Sequence, residues 1–289
     1  MWGLKGLLAA CLGLMVLPGL ADEAPATLPT PVVQASLPEA VLESSGLAPS
    51  AKQTGVCWTH GDSGTPAKLW AVDGTGRLVR TVELHGIKNR DWEDLARDEQ
   101  GRLIVADIGD NARKRKDAVL YRLSEPDPGK PDEPPGAVQA FPFTYPAEAG
   151  AQDAEALVVR AGFAYVFTKE PDRVRAYRVP LPEAPPEAPA VAEYLGESKL
   201  LALATGASLS ADGKCLALLT YIKVVTIEFP AALEATGAGT PKRPEPFAGR
   251  VAFRLLAPKQ YEAVCWNGAD LLIGSEARDV LRLPAARKP

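Results

Sequence analysis

The sequence predicts an all-β fold, a five-bladed β-propeller closed by a strand from its own amino terminus. Three observations lead there: a short motif that recurs five times, a fixed order of strand-like runs after each copy, and a chain end one strand short of a full unit. The copies are ESSGL ending at Leu47, DWEDL at Leu95, DAEAL at Leu157, GASL at Leu209 and YEAV at Val264, at intervals of 48, 62, 52 and 55 residues. Self-similarity at such a period marks a repeat architecture, and about four short β-rich runs per unit mark propeller blades.

Each motif is followed by an apolar second strand: GVCWTH, GRLIVAD, FAYVFTK, CLALLTY and DLLIGSE. Third strands follow as KLWAVD, VLYRLSE, RVRAYRV, VVTIEF and DVLRL, and fourth strands as RLVRTVEL, VQAFPF, AVAEYL and VAFRLL. After Val264 only 25 residues remain, enough for three strands. The missing strand is assigned to TPVVQASL at residues 30–37, which precedes the first motif and has no blade of its own. Pairing it with the last blade removes the open edges that would otherwise template aggregation. A sixth blade within residues 125–150 is the alternative, and its proline content argues against it.

The amino terminus, MWGLKGLLAACLGLMVLPGLADEAPA, has one Lys, an apolar run from Gly6 to Leu17, a Pro-Gly break and small residues up to Ala21. It reads as a secretory signal peptide over residues 1–21, leaving 22–289 as a single propeller domain, periplasmic or secreted. The apolar run is too short for a membrane span, so no transmembrane segment is expected after leader removal. LAAC at residues 8–11 also fits a lipoprotein signal, with acylation at Cys11. Past the leader stand Cys57, Cys215 and Cys265, which read either as small buried residues or as one bridge plus a free thiol. The net charge of −4 excludes the basic footprint of a nucleic-acid binder, and a monomer is expected.

In a propeller blade the start of the innermost strand and the end of the second share one face. Carboxylates take both sets of positions: Asp91, Glu93, Asp153, Glu155 and Glu262 at the starts, and Asp62, Asp107, Asp110, Glu170 and Glu276 at the ends. Pro-rich insertions such as PDPGKPDEPPG and PLPEAPPEAPA fall in the third-to-fourth hairpins on the other face, where they read as solvated loops rather than ligands for a Pro-binding partner.

Two residues before each anchor stand Ser45, Glu93, Glu155, Ala207 and Glu262. Three glutamates aimed at a narrow axis raise one another's pKa or demand a cation. Calcium suits the all-oxygen donor set best, with Glu93, Glu155, Glu262 and Asp110 as its ligands. Capping of neighbouring backbone amides by these glutamates, and a catalytic acid/base pair, are the competing readings. The rim of an unidentified ligand's site would comprise Asp62, Asp91, Trp92, Asp107, Asn111, Asp153, Lys169 and Glu276. Lys169 is the one cation expected on this face, as a salt-bridge partner or an anion contact.

HGDSGTP at residues 60–66 imitates the nucleophile loop of serine proteases, yet neither His60 nor His85 is placed for a triad. It reads as a turn presenting Asp62. DIGDN at residues 107–111 falls short of an EF-hand loop but suits a sharp bend that presents oxygens.

Taken together, SSGL, HGDSG, NRDWEDLA, ADIGDN, DAEAL, FTKE, TGASLSADG and YEAV resemble a group of secreted bacterial β-propellers related to the SdiA-regulated and, more distantly, the phytase-esterase-like propellers. The resemblance runs from about Leu42 to Glu276 and implies a propeller, export, and calcium near the axis in some relatives. The sequence departs from it at Ala207 and at the aromatic residue of YEAV. Two function classes follow: a propeller that binds a ligand or partner at an acidic, calcium-holding pocket, or a metal-assisted hydrolase of phosphoesters, esters or lactones.

Overall fold

The computed structural model describes residues 26–229 and 246–286. The leader expected over residues 1–21, and most of the loop after the third strand of blade 4, lie outside the described residues. The described chain is strands and turns only. It opens with β1 (Ala26–Thr27) and β2 (Val32–Ser36). Blade 1 follows as β3 (Ser44–Pro49), β4 (Val56–Gly61), β5 (Lys68–Asp73) and β6 (Leu78–Glu83), and blade 2 as β7 (Trp92–Arg97), β8 (Leu103–Asp107), β9 (Ala118–Leu123) and β10 (Gln139–Thr144). Blade 3 comprises β11 (Ala154–Arg160), β12 (Phe163–Thr168), β13 (Val174–Pro180) and, after the short β14 (Ala190–Val191), β15 (Glu193–Ser198). Blade 4 is β16 (Ala204–Leu209), β17 (Cys215–Thr220), β18 (Lys223–Glu228) and β19 (Val251–Leu255), and blade 5 is β20 (Tyr261–Asn267), β21 (Asp270–Ser275) and β22 (Asp279–Leu283).

These strands form five antiparallel sheets whose innermost members β3, β7, β11, β16 and β20 contact one another in a closed ring. Five apolar clusters fill the five seams between neighbouring blades. The fold is therefore a five-bladed β-propeller. Its fifth blade has the strand order β2-β22-β21-β20, so the amino-terminal strand supplies the fourth strand, as the residue shortage after Val264 requires.

Two additions are absent from the repeat arithmetic. β1 pairs in parallel with β19 on the outer edge of blade 4 before the chain crosses to blade 5, and Leu28 is buried in the seam between those blades. The Arg254 guanidinium holds this arm through the carbonyls of Leu28 and Pro29. β14 likewise lends its two residues in parallel to the edge of blade 2. Both short strands cover sheet edges that would otherwise be open.

The third-to-fourth hairpins are tied down from the preceding blade. The Arg80 guanidinium donates to the carbonyls of Asp127 and Glu133, and that of Arg122 to Pro182 and Glu183. Glu125 accepts from the Trp58 indole at 2.9 Å and from the Ala51 amide at 2.8 Å. Cys57, Cys215 and Cys265 are all buried and none is in a disulfide, the first and last sharing the seam between blades 5 and 1. No helix among the described residues is long and apolar enough to cross a membrane.

Candidate functional site

Each innermost strand carries a β-bulge at the same place. The ladder skips Ser45, Glu93, Glu155, Thr205 and Glu262. A bulged residue is unpaired and its side chain is re-aimed, and here that brings one side chain per blade to the mouth of the axis. The blade 4 member is Thr205, not Ala207. Ala207 stands where the other blades have Leu or Val, so alignment on a large apolar residue slips by two to Leu209. The hydroxyl members close on the next blade: Ser45 Oγ donates to the Glu93 carbonyl at 3.1 Å and Thr205 Oγ1 to the Tyr261 carbonyl at 2.7 Å.

A second ring lies just past the ends of the second strands. The amides of Asp62, Gly109, Lys169 and Glu276 bond the carbonyls of Glu43, Asp91, Asp153 and Gln260, which precede the innermost strands. Tyr221 follows β17 at the corresponding position of blade 4. The second ring is thus Asp62, Gly109, Lys169, Tyr221 and Glu276. It sits over the first, and the contacts between the two rings define the pocket.

Over blade 3, Lys169 Nζ ion-pairs with Glu155 and lies 5.2 Å from the ring centre of Tyr221. Burial opposes the Lys169 charge, but Glu155 and Tyr221 more than offset it and raise the ammonium above its ordinary value. Burial raises Glu155 as well, against the pull of Lys169; we take the pair as ionised, because the close contact and the upward shift of Lys169 both need a carboxylate there. Over blade 5, Glu262 is raised by burial and by Glu276, with the Tyr221 hydroxyl 3.5 Å from its Oε1.

Blade 2 has no side chain in the second ring, because its member is Gly109. A Cβ there would press into Glu93 Oε1 and the Asp91 carboxylate. Into that gap converge Asp62, Asp91 and Glu93, whose ligand oxygens all lie within 4.8 Å of one another. Burial and then the Asp62 charge push Asp91 up to about 6. Glu93 is raised further by burial and by Glu155, Asp62 and Asp91, and burial raises Asp62 itself. Asn89 holds the HGDSGT turn over this cluster, donating to the Asp62 carbonyl at 2.8 Å and to Thr65 Oγ1 at 3.1 Å while accepting from the Trp92 amide at 3.0 Å.

The other residues of the expected site are placed differently. Glu155 and Glu262 belong to the same pocket but are held by Lys169 and by Tyr221 with Glu276, leaving Glu93 as the expected metal ligand in the three-carboxylate cluster. Asp110 does not reach it: its Oδ2 accepts the Arg115 amide at 2.6 Å, and its own amide donates to Asp153 Oδ1 at 3.0 Å. Asp107 is fully buried and ion-paired with Arg115 at 2.8 Å, so it buttresses the DIGDN turn and is no open rim ligand. Glu170 is fastened by Arg175 at 2.8 Å. Trp92 is fully buried in the seam of blades 1 and 2, edge-on to His60, and does not line the pocket; an indole beside a bulge points inward with the apolar set. Asn111 is exposed on the turn beyond.

Amide capping on the axis does occur, and Asp94 performs it. The buried carboxylate accepts at Oδ1 from the Leu95 amide at 2.8 Å and at Oδ2 from Leu157 at 2.8 Å and Ala207 at 3.0 Å. Its donors are the anchor residues of three blades, so Asp94 plugs the axis beneath the pocket. A cavity of about 620 Å3 opens beyond this plug at the opposite mouth, lined by Asp98, Arg160 and Trp266 among others. We place the chemistry at the acidic mouth, because the converging carboxylates are there.

Comparisons with known proteins concern the fold alone at these identities. The β-propeller domain of Cps50 (Swd1) from Myceliophteria thermophila is 12% identical, with 90% of this chain and 99% of that one covered and a TM-score of 0.43. The PQQ-bound aldose sugar dehydrogenase of Streptomyces coelicolor is 11% identical over 90% and 99% of the two chains, with a TM-score of 0.49. Virginiamycin B lyase from Staphylococcus aureus is 11% identical over 82% and 64%, with a TM-score of 0.40. No family model matches the chain, and no curated protein matches it.

Proposed function

We propose that the protein is an exported ligand-binding propeller whose axial mouth holds a divalent cation, calcium by donor chemistry, at Asp62, Asp91 and Glu93. The observation that carries this reading is the convergence of three carboxylates within 4.8 Å in the gap that Gly109 leaves. Calcium is a hard cation that takes carboxylate, carbonyl and water oxygens with loose geometry. Bound, it would supply positive charge where carboxylates otherwise raise one another's pKa, and a ligand's oxygens could complete its shell. The rim that meets such a ligand comprises Asp153, the Lys169–Glu155 pair and Glu276. The leader supports export, and the motif resemblance to secreted propellers of the SdiA-regulated and phytase-esterase-like kinds supports both export and calcium.

The second reading, a metal-assisted hydrolase, is favoured by one observation: Asp91, held at about 6 and half-buried at the cluster, is poised to take up a proton near neutral pH. Calcium titration followed by calorimetry, in chelated and unchelated protein, tests the cation. Saturable binding supports it, and heats no different from buffer overturn it. A panel of phosphoester, ester and lactone substrates with and without calcium then separates binding from hydrolysis.

A further inference from the structure

Next to the acidic mouth lies a second cavity of about 330 Å3, between the turn after DIGDN and the loop entering blade 3. Its lining is opposite in character. Arg113, Lys114, Arg115 and Lys116 face it against two carboxylates, Asp110 and Asp117. Both carboxylates are engaged: Asp110 by the Arg115 amide, and Asp117 by Arg90 at 3.4 Å. Arg115 is spent as well, on Asp107 and on the Gly109 carbonyl at 2.8 Å. Arg113, Lys114 and Lys116 are exposed and form no close ion pair among the described residues, although the Arg113 charge acts on Asp153. Three cations without an ion-pair partner thus stand within four positions of one turn, on a protein with a net charge of −4.

The rest of the wall is apolar or neutral: Ile108, Ala118, Pro146, Ala147, Ala151 and Tyr145. The Tyr145 ring is packed edge-on against Phe143 and Tyr177, but its buried hydroxyl has no hydrogen-bond partner among the described residues. An unsatisfied buried hydroxyl is costly in a native fold. Burial holds it protonated, so it is a donor. Cationic rim, apolar wall, an unused donor and a volume at the lower end for small-molecule pockets together define a ligand class.

We propose that this cavity binds a small organic oxyanion, its charged head among Arg113, Lys114 and Lys116 and its apolar body against Ile108, Pro146 and the Tyr145 ring. The site is independent of the cation reading, since none of its contacts passes through Asp62, Asp91 or Glu93. Phosphate and carboxylate heads share the required chemistry, so both are tested.

Calorimetric titration of phenyl phosphate, benzoate and inorganic phosphate into the full protein, in chelator and at low ionic strength, examines it with any calcium site silent. At least one aryl oxyanion is expected to bind saturably, more tightly than inorganic phosphate, and to weaken as salt is raised. Combined R113Q, K114Q and K116Q substitutions, all on exposed side chains, should weaken that binding at least tenfold with an unchanged melting temperature. No saturable binding by either aryl oxyanion, or equal binding by the triple variant, would overturn the site; inorganic phosphate binding as tightly as the aryl compounds would overturn the role of the apolar wall.

Discussion

The Ala207 amide donates to Oδ2 of Asp94 at 3.0 Å across 113 residues of sequence. The same oxygen takes the Leu157 amide, and the other takes Leu95, so one carboxylate ties blades 2, 3 and 4 at the axis. Asp94→Asn keeps the shape but turns one acceptor into a donor facing an amide. Leaving buried amides unsatisfied costs about 1–3 kcal/mol each, so the variant should lose about 3 kcal/mol, or roughly 6–12 °C of melting temperature at this domain size. Chemical denaturation measures it, and a loss under about 1 kcal/mol would remove Asp94 from the axial tie.

Asp94 was not legible as a plug in the sequence. DWEDL offers three carboxylates in a row of five, and alternation alone decides which points to the axis; the bulge at Glu93 shifts that alternation by one. The repeat positions with large apolar anchors were legible, and with them the blade count and the closing strand, because apolar periodicity is the term that drives burial. Blade 4 shows the limit. Its anchor is Ala207, too small to register as apolar signal, and so Thr205 was hidden two residues upstream. The acidic mouth was legible as a set of residues, whereas its division into a cation cluster and a held salt bridge depends on Gly109, whose role is to leave space. Asn89, Arg115 and Tyr221 were missed because each acts across loops, and no local pattern marks such contacts.

Stability should fall as pH rises in metal-free protein. Asp91 is raised when folded, to about 6, and burial is the first cause. An unfolded Asp titrates near 4. Between these values the folded state holds protons that the unfolded state has released, so the slope of unfolding free energy with pH is negative. The contribution is fully present below pH ~4 and is lost as pH passes ~6. Glu93, Glu262 and Glu276 add in the same direction. Melting temperatures in chelator from pH 5 to 8 check this. A flat or rising profile would show that the mouth is ionised in the folded protein.

Calcium should flatten that profile by binding the ionised cluster. A cation that binds only the folded state at ~100 times its dissociation constant adds ~2.7 kcal/mol. Glu93→Gln and Asp62→Asn should each weaken calcium by about tenfold or more, as each removes a charged donor. Glu155→Gln should change it less, because Glu155 is already committed to Lys169. Equal losses at Glu155 and Glu93, read by calorimetry, would place the cation on the axis among all three glutamates instead.

Closure by the amino-terminal arm can be tested apart from the site. Removing residues 30–37 takes away β2 and leaves β22 an open edge, which should cause aggregation on concentration. Leu28→Ala is subtler: the side chain is 1% exposed in the seam of blades 4 and 5 and should cost about 2–4 kcal/mol. Full solubility of the deletion, followed by light scattering, would show that the ring closes without the arm.

Gly109→Ala separates space from charge, since it alters no titratable group. A methyl at this position presses into Glu93 Oε1 and the Asp91 carboxylate. The carboxylates must part, so the oxygens leave the range in which one cation can bridge them. Calcium affinity should therefore fall about as far as in Glu93→Gln, while the retained charges keep the fall in stability from pH 5 to 8. The glycine has no left-handed backbone angle that would penalise alanine by itself, so the folded structure should survive with a loss of about 1–3 kcal/mol from overpacking. Calorimetry with calcium on Gly109→Ala decides the matter: wild-type affinity would mean that the gap in the second ring is incidental, and that Asp62, Asp91 and Glu93 are gathered by the HGDSGT turn and Asn89 alone.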